Sequence, residues 1–533
     1  MSDADRAAKD GTKKTTPSSA FYRRIFFVLF AIALAIGLRM YRLETDAYPG
    51  LSWDTGLFTD EGFYLHNARN VILFGKLRTD EFNNIFLMPL LHPIQLAWFR
   101  CFGVGSVQTR LFSVAFSLLT LPFYFDALRR LFERRTATLA TVFLTFDHVN
   151  LLYNRMGLMD TPAAFAMVVA LWAFSRTVTG EGRERARYAI LCGVSVGTTY
   201  AVRGLALAIL PAFFFALKRD RKNAETTEET DKNFMCYFII GLVMFFTLFL
   251  ALWYFPNHAE IARINAFHLK EQLLPKTVPQ LGRNLVQAVS GIRYLGLLPY
   301  LLTHSPVLLI FTLIGLIKPF STDLEERERC GVRLLRGWIV ALWLLFAISN
   351  YAPSRYYVLF YPAMMALAAH QLTAISYRSN LPQWKTQWKI NRRMFFFFVI
   401  WGIVNTSWMT HWLFTLKTTR RDSERWLVQN LPSNTVLIGD CAPGLALDSG
   451  FRTINVQPGL CNDRDTLTKF ENSPQVIVIL DGVWKEKWWT EHYPVAVSKE
   501  HRLTLFNPLI SHTVGVYSVE NTKEVGRERN VGR

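Results

Sequence analysis

Long apolar runs alternate with short polar stretches along most of the chain. The runs fall near 21–40, 108–128, 136–152, 160–178, 187–202, 203–217, 234–255, 296–318, 335–350, 356–375 and 394–414. A helix rises 1.5 Å per residue, so about 20 apolar residues cross a bilayer's hydrocarbon. Most runs approach that length. They predict a polytopic α-helical membrane protein with about eleven to thirteen transmembrane helices. The run 86–102 differs, because Pro89, His92, Pro93, Gln95 and Arg100 interrupt it. Prolines break a regular helix by removing a donor and crowding the preceding turn.

The basic residues decide how 86–102 is read. If it does not cross, the clusters at 129–135, 183–187, 218–222, 327–336 and 378–393 all share one side, the cytoplasmic one. If it crosses, every later cluster inverts. The segment is therefore expected outside, along the membrane surface. Loops 41–107, 153–159, 256–295 and 351–355 then face outward with the tail after 415. Residues 1–20 are polar and read as a disordered cytoplasmic tail. Residues 21–40 have no small-residue cleavage site and read as a retained first helix. The spans and loops of 21–415 make one membrane domain. Beyond it, 418–533 changes character: a helical stretch at 422–431, strand-like runs at 435–439, 475–480 and 513–519, and a further helical stretch at 484–493. That alternation predicts a small C-terminal α/β domain on the outer, periplasmic side.

Composition narrows the class. The chain has 533 residues, 51% of them hydrophobic, and a formal net charge of +18. The positive charge is spread between apolar runs rather than gathered on one face, so no nucleic-acid partner is expected. Six Cys give no disulfide framework, although Cys441 and Cys461 would share an oxidising compartment.

The candidate chemistry lies in the outward loops. Asp60-Glu61 leads, since carboxylates beside a bilayer are costly unless water or function holds them. Adjacent residues on a helix point different ways, so the two would not act on one bond. A capping role for Thr59 or Asp60 at the start of a helical stretch 62–74 is the competing reading. His92-Pro93 marks a fixed turn. Arg110 opens an apolar run, where it would anchor the helix or hold a phosphate. Arg155 and Asp160 bracket a short outer turn, and Asp160-Thr-Pro also fits a plain helix start. Arg355, followed by Tyr356 and Tyr357, is conspicuous because positive charges are scarce on the outer side. A guanidinium there suits a phosphate in the head-group layer. Loop 256–295 adds His258, Arg263, His268, Lys270, Arg283 and Arg293.

In this order, the Asp-Glu pair, the His-Pro segment, the Arg110 helix start, the Arg155…Asp160-Thr-Pro turn and the Arg355-Tyr-Tyr start resemble glycosyltransferase family 39. That family contains the protein O-mannosyltransferases and the aminoarabinose transferases, and the likeness covers roughly 20–415. It implies a C-type glycosyltransferase fold in a bacterial inner membrane and a role in the cell envelope. It implies a polyprenyl-phosphate sugar as donor and inverting transfer to a glycan, lipid or protein hydroxyl. Asp60 matches the family's catalytic Asp and Glu61 its partner. Arg110 matches the Arg that starts the second helix, and Arg355 a position expected at the lipid phosphate. The chain departs at Leu91-His92, where the aminoarabinose transferases carry Glu-Lys. The large lumenal insertion of the eukaryotic mannosyltransferases is also missing.

On this reading Asp60 and Glu61 are the catalytic pair. His92, Arg110, Arg155 and Asp160 bind substrate. Arg355, Tyr356, Arg293 and Lys270 hold the lipid phosphate. No cofactor is assigned and no metal is required, although Asp160 or His92 would complete a site around Asp60-Glu61. The rivals are an oligosaccharyltransferase-like enzyme with the same lipid donor, and a transporter. The transporter fits less well, because its ionisable groups belong near the bilayer midplane.

Overall fold

The computed structural model describes residues 19–52, 56–76, 84–217, 228–267, 274–290, 297–319, 324–377, 392–456, 475–480, 497–505 and 512–519. Each of the eleven apolar runs is helical. The first is α1 (Ser19–Met40), followed by α2 (Gly56–Phe74) and α3 (Leu91–Phe102) in the first long loop. Next come α4 (Ser106–Leu131), α5 (Arg134–Phe146), α6 (His148–Asn154), α7 (Asp160–Thr179) and α8 (Gly182–Val202). A 3-10 turn at Gly204–Ile209 leads into α9 (Leu210–Leu217), and α10 (Glu228–Phe249) continues through a π-helical turn at Leu250–Tyr254. The chain goes on through α11 (His258–Phe267), α12 (Val278–Ser290), α13 (Leu297–His304), α14 (Pro306–Ile317), α15 (Glu326–Ile348), α16 (Tyr361–Tyr377) and α17 (Arg392–Phe414).

Among the described residues, Ser106–Leu131, Asp160–Thr179, Phe234–Ala266 and Glu326–Ile348 are each long and apolar enough to cross a membrane. Several other runs that hydropathy reads as continuous are broken. The run 136–152 divides at Asp147, whose Oδ1 accepts the amides of Val149 and Asn150 at 3.1 and 3.3 Å. A buried carboxylate thus caps α6 inside a predicted span, and hydropathy does not register caps. The run 296–318 divides at Ser305, where Pro306 opens α14. Helix α3 has only 12 residues, about 18 Å of rise, too short to cross.

Helix α7 packs between α4 and α8, α8 against α10, α14 against α16, and α16 against α5. The α8–α10 contact depends on small residues. A Cβ on Gly193 would come within 2.1 Å of the Phe238 carbonyl oxygen, and one on Gly241 within 2.1 Å of the Ile190 carbonyl oxygen. Backbones approach this closely only where the side chain is a hydrogen. Trp338, Tyr124, Tyr153, Tyr300 and Tyr361 fill the core. Arg39 is buried too, donating to Ser117 Oγ and to the carbonyls of Ala35 and Thr145.

Past α17, α18 (Thr419–Asn430) and the short α19 (Ala442–Leu445) accompany a five-stranded sheet. Its strands are β1 (Val436–Ile438), β2 (Arg452–Ile454), β3 (Gln475–Leu480), β4 (Val497–Leu505) and β5 (His512–Val519), in the order β2-β1-β3-β5-β4. The β1 strand pairs parallel with β2 and β3, and β5 runs antiparallel to β3 and β4. The expected helix at 484–493 lies outside the described residues. So does Cys461, while Cys441 is buried.

Candidate active site

Asp60 and Glu61 lie in the second turn of α2, because the helix begins at Gly56. This excludes the capping reading, since the carboxylates fall beyond the free amides of the first turn. They diverge. Asp60 lines a cavity of about 760 Å³ and meets Arg355 at 2.9 Å. Glu61 turns the other way, to Arg110.

The Glu61–Arg110 pair is bidentate. Arg110 Nε donates to Oε1 at 2.8 Å and Nη2 to Oε2 at 2.6 Å, with both side chains under 5% exposed. Gly157 N–H adds a third bond to Oε1 at 2.7 Å. Arg110 also donates to the carbonyls of Leu43, at 2.5 Å, and Thr45. Burial disfavours the Glu61 charge, but the guanidinium and the Gly157 amide outweigh it and hold the carboxyl below its usual range. Neither Glu61 nor Arg110 lines the cavity. The pair locks α2 to α4 and to the loop at Gly157.

Other expected site residues separate in the same way. Arg155 wraps the end of α1, donating to the carbonyls of Leu38, Arg39, Tyr41 and Arg42, with its guanidinium 4.5 Å from the Trp412 ring centre. It is a cap for orphan helix carbonyls. His92 is buried between α2 and α3 near His66, Asn84 and Gln95, and burial pushes its imidazole down to about 3. It stands outside the cavity, although its neighbours Met88 and Pro89 line the wall. Asp160 opens α7 and pairs with Arg203 at 2.9 Å, both nearly inaccessible. Lys270 and Arg293 lie outside the described residues.

Arg203 is the site residue that sequence reasoning missed. It follows the last residue of α8 and lines the cavity beside Arg355. Its guanidinium stacks 4.4 Å from the Tyr356 ring centre, with that of Arg355 at 5.2 Å from the same ring. Arg355 also donates to Tyr351 Oη at 2.9 Å. Two carboxylates and two guanidinium groups thus gather around Tyr356. The signal was available, since Arg203 opens the run 203–217 at the outer turn the topology implies.

The cavity has one polar end and a long apolar wall. Asp60, Arg203 and Arg355 form the end, and Phe86, Leu87, Leu205, Leu207, Phe249 and Ile261 contribute to the wall. Helix α10 supplies Phe249 just before its π-helical turn, a distortion frequent at functional sites. Among the described residues no three His, Cys, Asp or Glu side chains converge as a metal site.

Residues 89–255 match the family described as dolichyl-phosphate-mannose-protein mannosyltransferase. That stretch holds Arg110, Arg155, Asp160 and Arg203, and it excludes Asp60 and Arg355. No curated protein matches the chain. ArnT from Cupriavidus metallidurans bound to undecaprenyl phosphate is similar in structure, at 16% identity and TM-score 0.56, over 92% of this chain and 98% of that one. Its apo state aligns with TM-score 0.57 at 16% identity, over 93% and 98%. The apo oligosaccharyltransferase of Archaeoglobus fulgidus aligns with TM-score 0.51 at 14% identity, over 86% of this chain and 69% of that one. At these identities the likeness is one of fold. The matching segment thus supports the resemblance to glycosyltransferase family 39 over 89–255, and the chain shares its fold with ArnT and with the archaeal oligosaccharyltransferase.

Proposed function

We propose that this membrane protein, with its C-type glycosyltransferase fold, moves a sugar from a polyprenyl-phosphate carrier to an acceptor hydroxyl at the outer membrane face. One observation carries the reading: an apolar cavity of about 760 Å³ ends on Asp60, ion-paired to Arg355, with Arg203 beside it. An isoprenoid chain suits the wall. A phosphodiester suits the two guanidinium groups, whose planar donors match phosphate oxygens. ArnT, with which the chain shares its fold, binds undecaprenyl phosphate.

The chemistry follows from what meets at the polar end. The acceptor oxygen attacks the anomeric carbon while Asp60 takes its proton. The bond from the anomeric carbon to the phosphate oxygen breaks, and its electron pair leaves with the phosphate. Arg355 and Arg203 balance the charge that appears there, in a site preorganised before the substrate arrives. Direct attack from one face inverts the anomeric centre, by analogy with single-displacement glycosidases. A phosphate needs no strong general acid to depart. Glu61 and Arg110 act through α2 by fixing its rotation, and Asp160 holds Arg203.

In this reading the outer face follows from the basic clusters, which gather on the opposite, cytoplasmic side. The domain after 418 is then periplasmic. The test is Asp60→Asn in purified protein with polyprenyl-phospho-sugars. Base assistance is worth about 10²–10⁴-fold, so turnover should fall by that factor. Undiminished turnover would remove Asp60 from the reaction.

A further inference from the structure

Three consecutive residues of α2 address three different bodies. A helix turns about 100° per residue. Asp60 faces the cavity, Glu61 faces Arg110 and Gly157 in the membrane domain, and Gly62 faces the C-terminal domain. The last contact is backbone on backbone. A Cβ on Gly62 would lie 2.2 Å from Gly444 N and 2.3 Å from Pro443 C, atoms that cannot rotate aside.

The contact at Gly62 is one point in a larger clamp. About two turns along α2, Arg69 is fully buried and donates to the carbonyls of Ser449 and Phe451, at 2.9 and 2.8 Å. Asp448 accepts from the amide and hydroxyl of Ser106, at the start of α4, both at 2.7 Å. Arg420 ties Glu424, Asp448 and the Gly444 carbonyl together. Asp46, in the loop before α2, accepts the amides of Thr419 and Arg420 and so caps α18 from outside. The C-terminal domain therefore grips α2 along its length and is anchored to the loops on both sides.

We propose that the C-terminal domain is a positioning element for transfer: the seat of Gly62 on Pro443-Gly444 fixes the rotation of α2 and so holds Asp60 against Arg355. This rests on the reading of Asp60 and Arg355 given above. Because α2 lines the cavity and also carries the seat, docking of the domain and filling of the cavity are coupled. By linkage, each must strengthen the other by the same factor.

The experiment uses the full chain in detergent or nanodiscs, with undecaprenyl phosphate as probe. Docking is read from disulfide formation in a Ser106→Cys, Asp448→Cys variant. Order in α2 is read from amide hydrogen exchange over residues 56–74. Gly62→Ala should speed exchange in α2 by tenfold or more, lower the cross-link yield, and weaken undecaprenyl phosphate at least fivefold. Undecaprenyl phosphate should in turn slow exchange at 442–451. Asp448→Asn, a milder change distant from the cavity, should speed α2 exchange and weaken undecaprenyl phosphate to a smaller degree, read without the cross-link, which covers the case in which Gly62→Ala does not fold. A purely architectural interface predicts undocking with α2 exchange and lipid affinity unchanged, and that result overturns the proposal. If wild type does not bind undecaprenyl phosphate, the functional reading fails. The clamp is still judged, because unchanged α2 exchange in Gly62→Ala refutes it without any ligand.

Discussion

Asp60 and Glu61 are neighbours in sequence with unlike surroundings, because the helix directs one to the cavity and the other to the protein interior. That divergence was legible from the sequence, since adjacent helical residues cannot share a face. The partners were not legible, because pairing of Glu61 with Arg110 and of Asp60 with Arg355 spans long stretches of chain. Removing Arg110 leaves a buried Glu61 carboxylate without its main counter-charge. Arg110→Ala should therefore cost about 3–5 kcal/mol. The double variant Glu61→Gln, Arg110→Gln should cost less than the sum of the single changes, measured by thermal unfolding in detergent. Equal and additive losses would deny the coupling. His92 gives a pH prediction. Its imidazole is held near 3 in the fold, below the usual 6.5. The unfolded chain then binds more protons between those values, so the neutral site stabilises above pH 6.5 and loses that contribution as pH falls. The slope is at most about 1.4 kcal/mol per pH unit. Unfolding temperature should fall from pH 7.5 to 5.5 in wild type, and less so in His92→Gln.

Elements carry the cavity wall. Helix α8 presents Tyr200 and is followed by Arg203, and α10 presents Phe249. The two helices meet through Gly193 and Gly241. Gly193→Val would force them apart, and such overpacking costs about 1–3 kcal/mol. It should lower the unfolding temperature and weaken undecaprenyl phosphate as well, because the wall moves with the helix. Loss of stability with unchanged affinity would detach the wall from the site. Hydropathy located the helices because long apolar runs have few alternatives. It missed the breaks at Asp147 and Ser305, which depend on a carboxylate cap and a proline start rather than on mean apolarity. In the C-terminal domain the unbroken apolar β3 was plain. The charged β4 and the three-residue β2 were not, because a strand's place in a sheet is set by its partners as much as by its own residues.

At the scale of the molecule, the proposed reaction draws a wall and two arginines from the helices before residue 415 and Asp60 from the first loop, while the segment after 418 packs on the helix that carries Asp60. Arg355 stood out in the sequence as a positive charge on the side where few occur. Arg203 falls on that side as well, but only the fold shows that it shares a ring with Arg355. The topology itself is testable: single Cys residues placed in the loops near 46, 104 and 351 should react with an impermeant thiol reagent from outside, and labelling from the cytosol would invert the assignment. The most direct measurement is photo-cross-linking with a diazirine-bearing polyprenyl phosphate, followed by peptide mapping. The account predicts labels on the wall at Leu205, Leu207, Phe249 or Ile261, competed by undecaprenyl phosphate and lost in Arg355→Ala and Arg203→Ala. Labels elsewhere, or wall labelling indifferent to both arginines, would contradict it.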